Sequence, residues 1–300
     1  MEHDLLTLDS LSGDEILALI DLAKAIKSKP FDFKDAMQGK ILAMIFQKPS
    51  LRTRVSFESG SIKMGGEAIY LSANEIQLGR GETIADTGRC LSRYVDIIMA
   101  RVYEMADIEE LAEGASVPVI NGLSNFNHPC QTLSDMLTVI EKKGSLNGLK
   151  FAFVGDCGNN TCHSWLMAGH KVGVQVTCGF PKGYGPDEAA LKSAKDYKLT
   201  NDPKEAVKDA DVIYTDTWMS LHIPEAERKK RFSALKPYQV SDDLMSFAKK
   251  GAIFMHCLPA HRGEEMTADV IDGPQSVVFD QAENRMWMQN AIMLKLLKLR

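Results

Sequence analysis

The residues best suited to chemistry lie in Phe46-Gln-Lys-Pro-Ser-Leu-Arg-Thr-Arg-Val-Ser-Phe-Glu58. Two hydroxyls, Ser50 and Thr53, flank the guanidinium of Arg52, and a guanidinium matches the geometry of a phosphate better than an ammonium does. Arg101 ends a second apolar run, and His128-Pro-Cys-Gln131 sets an imidazole and an amide beside a proline that suits a first helical position. Donors of these types are what a phosphate joined to a carbonyl would require. Taken singly, each has a plainer reading. Ser50 could cap a helix whose arginines face water, and His128 could be a cap.

The neighbouring elements decide how such donors could meet. Lys40 to Phe46 is an apolar run expected to form a buried strand. The segment after it offers Val55, Phe57, Ile62 and Met64 as the inner face of a helix. Ser50 to Arg54 then falls on a strand-to-helix turn, where unpaired N–H groups and the helix dipole favour an anion. A capping box at Ser12 to Glu15 starts an N-terminal helix running to about Lys27. Ala68 to Leu71, Val95 to Ala100 and Val117 to Ile120 are further strand candidates. Thr83 to Tyr94 is expected to be a helix with Ile84, Thr87, Cys90 and Leu91 on one side, and the helix opened by Pro129 turns Leu133, Met136, Leu137 and Ile140 inward. An arginine at the carboxyl end of a strand, as at Arg101, points to the crevice where open α/β sheets bind ligands.

The turn cluster Gly144-Ser-Leu-Asn-Gly148 marks a boundary, and a new alternation follows. Leu149 to Val154, Gly173 to Cys178, Asp211 to Tyr214 and Ala252 to Met255 are strand candidates separated by helix-length segments, with a helix beginning near Ser164. The expectation is an α/β protein of two parallel-sheet domains, residues 1–143 and 144–284, with a closing helix over residues 285–300 that packs back on the first.

The chain has 300 residues, 45% hydrophobic and 25% charged, with a net charge of −5. That length suits two domains. The negative balance argues against a nucleic-acid surface, and no apolar run reaches the ~18 residues of a membrane span. The six cysteines form no CxxC pair and the first residues carry no leader pattern, so the expected setting is a reduced, cytoplasmic one. Gly155-Asp-Cys-Gly-Asn-Asn160 follows a strand but lacks the G-x-G-x-x-G spacing of a dinucleotide site. Cys157, Cys162 and His163 lie close in sequence, but a structural zinc site supplies four ligands in paired spacings, and small residues packing a turn is the simpler reading. No metal is expected.

Six segments in order carry a family resemblance: Ser50-Leu-Arg-Thr-Arg54, Gly81-Glu-Thr-Ile-Ala-Asp-Thr87, His128-Pro-Cys-Gln131, Asp216-Thr-Trp-Met-Ser220, His256-Cys-Leu-Pro259 and Ala282-Glu-Asn-Arg285. Nearly end to end, the chain resembles the aspartate/ornithine carbamoyltransferase family, on its ornithine branch. The resemblance implies transfer of a carbamoyl group from carbamoyl phosphate to the side-chain amine of L-ornithine, giving citrulline, in arginine metabolism. It implies that Ser50, Leu51, Arg52 and Thr53 hold the phosphate with Arg101. His128, Pro129, Cys130, Gln131, Cys257, Leu258 and Arg285 complete the carbamoyl phosphate site, and Gln77 reaches that site from an adjacent subunit of a homotrimer. Asn160, Asp216, Ser220 and Leu221 would bind ornithine, and Arg101, His128, Asp216 and Cys257 would be catalytic. Leu258-Pro259 matches a family peptide bond that is cis, and no cofactor is implied.

Departures from the family pattern are Leu51, where many relatives carry threonine, and Leu221-His222, where Met-Gly is common. The readings set beside the main one are a carbamoyltransferase for another amine, such as putrescine or aspartate, and a non-catalytic binding subunit. Glu75-Ile-Gln-Leu-Gly-Arg-Gly81 offers a glutamine where the aspartate branch brings a serine and a lysine, and with Cys257-Leu258 it favours ornithine.

Overall fold

The computed structural model describes residues 3–76, 78, 81–220 and 223–299. The chain forms two compact units, Met1–Leu137 with Glu283–Arg300, and Thr138–Ala282. The first contains helix α1 (Gly13–Ser28), strand β1 (Ile41–Phe46), α2 (Leu51–Lys63), β2 (Glu67–Ser72), α3 (Ile84–Leu91), β3 (Ile97–Arg101), α4 (Met105–Gly114), β4 (Val119–Leu123) and the start of α5 (Pro129–Lys143). The second contains β5 (Lys150–Val154), α6 (Asn160–Ala168), β6 (Gln175–Gly179), α7 (Glu188–Ser193), β7 (Tyr197–Thr200), α8 (Pro203–Val207), β8 (Val212–Tyr214), α9 (Arg228–Leu235), α10 (Asp242–Met245), β9 (Ile253–Met255) and α11 (Ala268–Ile271). The last helix, α12 (Val278–Leu296), begins in the second unit and carries the chain back into the first.

Both sheets are wholly parallel, in the order β2-β1-β3-β4 and β7-β6-β5-β8-β9. Parallel sheets covered on both faces read as continuous apolar runs, which is why β1, β3 and β5 stood out in the sequence. Two elements did not. The edge strand β7 is partly exposed along its length and includes Lys198, so its apolar signal is weak. Helix α4 begins at Met105 without a side-chain cap.

Two expected faces are corrected. Helix α2 buries Thr53, Phe57, Gly60 and Ser61, while Val55 and Ile62 are exposed. The buried positions keep helical spacing, but three of the four are small or polar, so the apolar pattern pointed to the wrong side. The reason lies in α12: a Cβ on Gly60 would sit 2.2 Å from Asn290 Oδ1, so any larger residue would require the Asn290 side chain to shift. In α3, Gly88 rather than Cys90 is buried. A Cβ there would lie 2.6 Å from the Leu111 carbonyl oxygen, while Cys90 faces solvent.

Candidate functional site

Each unit places a polar cluster where strand order reverses, the position at which open α/β sheets form a ligand crevice. In the first unit the reversal falls between β1 and β3. Ser50 follows β1 in extended conformation and caps α2, its Oγ accepting from Thr53 N–H at 3.3 Å. Arg101 closes β3, and its Nη1 donates to Thr53 Oγ1 at 3.4 Å. Arg285 reaches the same hydroxyl from α12, with Nη2 2.8 Å from Thr53 Oγ1. Its Nη1 donates to Gln131 Oε1 and lies 3.4 Å from His128 Nε2. Gln131 is oriented in turn by donating to Asp135 at 2.8 Å.

A guanidinium only donates, so His128 Nε2 accepts in this contact and the ring proton sits on Nδ1. Burial, then Arg285, Arg101 and Lys48, push the imidazole well below its ordinary pKa, so His128 is neutral at physiological pH. Lys48 is the cation that sequence reasoning passed over. It is 3% exposed, donates to Asn125 Oδ1 and sits 4.5 Å from the centre of the Tyr103 ring. Burial, reinforced by Arg101, lowers its pKa to about 8. The signal available in sequence was its place two residues before Ser50, at the end of a buried strand.

Not every named residue turns its side chain toward this cluster. Leu51 is 75% exposed at the first turn of α2, leaving its backbone N–H as the donor it can offer. The Cys130 thiol faces the Asn121 carbonyl at 3.5 Å, and burial pushes it up to about 12. Arg52 is half-buried, with no hydrogen bond or ion pair to the described residues. A half-buried arginine beside a capped helix start, with two more arginines on one hydroxyl, can neutralise a doubly charged oxyanion and retain a donor for a carbonyl.

In the second unit the reversal falls between β5 and β8. Asp216 lies just beyond β8. Its Oδ2 accepts from Asn159 Nδ2 at 2.8 Å, and its Oδ1 from Thr217 N–H at 2.8 Å and from the Cys257 thiol at 3.1 Å. Asn159, the cap of α6, therefore makes the contact to Asp216, while the neighbouring Asn160 side chain accepts from Thr161 Oγ1 at 3.3 Å. Cys257 is held from behind. His256 Nδ1 accepts from Leu258 N–H at 2.9 Å, which leaves Nε2–H to donate to buried Glu265 at 3.2 Å. Leu258-Pro259 is cis. Such a carboxylate with an adjacent thiol can hold and orient an ammonium. Ser220 is half-buried and ends the described part of its loop, while the expected site residues Gln77 and Leu221, with His222, lie outside the described residues.

Among the described residues no helix is long and apolar enough to cross a membrane. Residues 3–141 match the carbamoyl-P binding domain of aspartate/ornithine carbamoyltransferase, and residues 147–296 match its Asp/Orn binding domain. The chain is 53% identical over 308 residues to the ornithine carbamoyltransferase of Pyrococcus horikoshii, covering 98% of this chain and 96% of that protein. A Pyrococcus furiosus protein named ornithine carbamoyltransferase, anabolic, is 54% identical over 304 residues, covering 97% and 95%. The solved structure of ornithine carbamoyltransferase from Pyrococcus furiosus matches with a TM-score of 0.95 at 52% identity, covering 99% of this chain and 97% of that one. With both halves matched, the chain belongs to the aspartate/ornithine carbamoyltransferase family.

Proposed function

We propose that this protein transfers the carbamoyl group of carbamoyl phosphate to the side-chain amine of L-ornithine, giving L-citrulline and phosphate. The observation that carries the reading is the convergence of Arg101 and Arg285 on Thr53 beside a neutral His128. The phosphate takes the first-turn N–H groups from Leu51 to Thr53, the Ser50 and Thr53 hydroxyls, Arg52 and Arg101. The carbamoyl end meets His128, Gln131 and Arg285, with backbone groups of Pro129, Cys130, Cys257 and Leu258. Ornithine is held by Asp216, with Asn159, Asn160, Ser220 and Leu221 around it.

Free ornithine carries a side-chain ammonium with a pKa near ~10.4, so it must shed a proton before attack. Asp216 and the Cys257 thiol orient that nitrogen. Its lone pair then bonds to the carbonyl carbon, and the C=O pair moves onto oxygen. Arg101 and the Nδ1–H of His128 stabilise this oxyanion. A neutral histidine donates without adding a further cation to a site that already holds three guanidiniums. The C–O bond to phosphate breaks as the carbonyl reforms, and the departing phosphate takes the proton from nitrogen. The test is a coupled assay offering ornithine, putrescine, N-acetylornithine and aspartate. Ornithine should be used preferentially, and preference for any other would overturn the assignment.

The active site is shared within a homotrimer, with Gln77 supplied by the neighbouring subunit. Support comes from an exposed apolar strip of Leu51, Val55 and Ile62 on α2, next to Ile69 on the edge strand β2. Mixed oligomers of Gln77→Ala and Arg101→Ala chains, each inactive alone, should regain activity. Verified hybrids without recovery would remove the shared site. A cytoplasmic setting fits the six free thiols.

A further inference from the structure

The second unit holds a cluster that the transfer reaction does not use. Cys157 lies in the turn after β5, Cys162 in the first turn of α6 and Cys178 in β6 opposite Phe153. All three are fully buried, and their sulfur atoms lie within 4.8 Å of one another. The Cys162 and Cys178 sulfurs are 3.5 Å apart. In sequence Cys157, Cys162 and His163 lie close together, but the His163 Nε2 accepts from Asp187 N–H at 3.1 Å. The third member comes from a neighbouring strand.

We infer that Cys157, Cys162 and Cys178 form a three-thiolate site for a soft monovalent cation, with Cu(I) the ion that fits it. Three sulfurs around an ion at about 2.3 Å stand roughly 4.0 Å apart in a trigonal plane, and the three here already lie within 4.8 Å of one another. Thiolates select soft ions. A structural zinc site takes four ligands, whereas the ligand group among the described residues has three.

The amino-terminal end of the α6 dipole presents positive potential near Cys162. On binding, S–H bonds break and S–Cu bonds form, the displaced protons pass to solvent and copper remains in the +1 state, so no oxidant or reductant is needed. Because Cys157 and Cys162 flank Asn159 in sequence, an ion here would pin the turn that supplies the hydrogen bond to Asp216.

The experiment uses the protein carrying Cys90→Ser and Cys257→Ser, which removes the two thiols that are not fully buried. It is titrated anaerobically with Cu(I) against bicinchoninate. One equivalent should bind per chain, with three sulfur neighbours at about 2.3 Å in the copper X-ray absorption spectrum. Further Cys178→Ser or Cys157→Ser substitution should weaken binding at least tenfold. Failure to take up copper, uptake unchanged in both variants, or displacement of Cu(I) by equimolar Zn(II) would each overturn the assignment. The absorption spectrum of the chain with all three thiols intact decides the matter should either variant fail to fold.

Discussion

The two polar clusters occupy equivalent places in their sheets yet are built from opposite materials. In the first unit, guanidiniums from two separate elements meet on one hydroxyl, and burial, reinforced by the nearby cations, depresses the proton affinity of His128 and Lys48. In the second unit a single carboxylate is surrounded by neutral donors, Asn159, the Thr217 N–H and the Cys257 thiol. The first cluster is therefore incomplete without an anion. The second can receive a cation by exchanging neutral partners. The difference matches a dianionic donor on one side and an amino acid with a positive side chain on the other.

The comparison is most easily broken at Arg101. Arg101→Ala should lower kcat by about 10²- to 10³-fold, as loss of one oxyanion donor does, with the circular dichroism spectrum unchanged. Steady-state kinetics that stay near normal would remove Arg101 from the reacting centre. A smaller and more selective effect is expected in the second unit. Asp216→Asn should cut kcat/KM for ornithine about 10- to 100-fold, the range for a hydrogen bond to a charged group, while inorganic phosphate binds as before. Equal losses for both ligands would mean that the two clusters are not separable in this way.

The smallest effect sharpens the electrostatic half of the contrast. Lys48 has a lowered pKa of about 8, and a bound phosphate dianion favours its ammonium form. Binding is thus coupled to proton uptake once the free site begins to lose that proton. Phosphate affinity should fall as pH rises through about 8, by about tenfold between pH 7 and 9.5, since each unit of pKa shift is worth a factor of ten. Isothermal titration of phosphate into Lys48→Met should give weaker binding with that pH dependence flattened. The same slope in both proteins would place the titrating group elsewhere.

Much of this was legible from residue order. The strand–turn–helix around Ser50 follows from an apolar run, a capping hydroxyl and a helix start, all local signals, and Ser50 is indeed the cap of α2. Arg101 was legible because the strand it ends is apolar. The inner face of α2 was misread, because the contact that selects it involves Gly60 and Asn290, a glycine and a polar residue with no hydrophobic signature. The contact of Asn159 with Asp216 was not legible, because adjacent residues at a helix start are distinguished by backbone direction, not by type. Cys178 could not be joined to Cys157 and Cys162 because strand pairing, not spacing, brings it there.

The sequence by itself determined the α/β alternation, the two parallel sheets and the residue types a carbamoyl-transfer site requires, because each is written in local periodicity and short motifs. Only the tertiary structure decided which groups share a hydrogen bond and what charge they carry. That Thr53 receives two guanidiniums, that His128 is neutral and that Lys48 sits near its titration point depend on burial and on separations between residues distant in the chain. Desolvation and Coulomb interaction act through space, and order along the chain does not encode those distances.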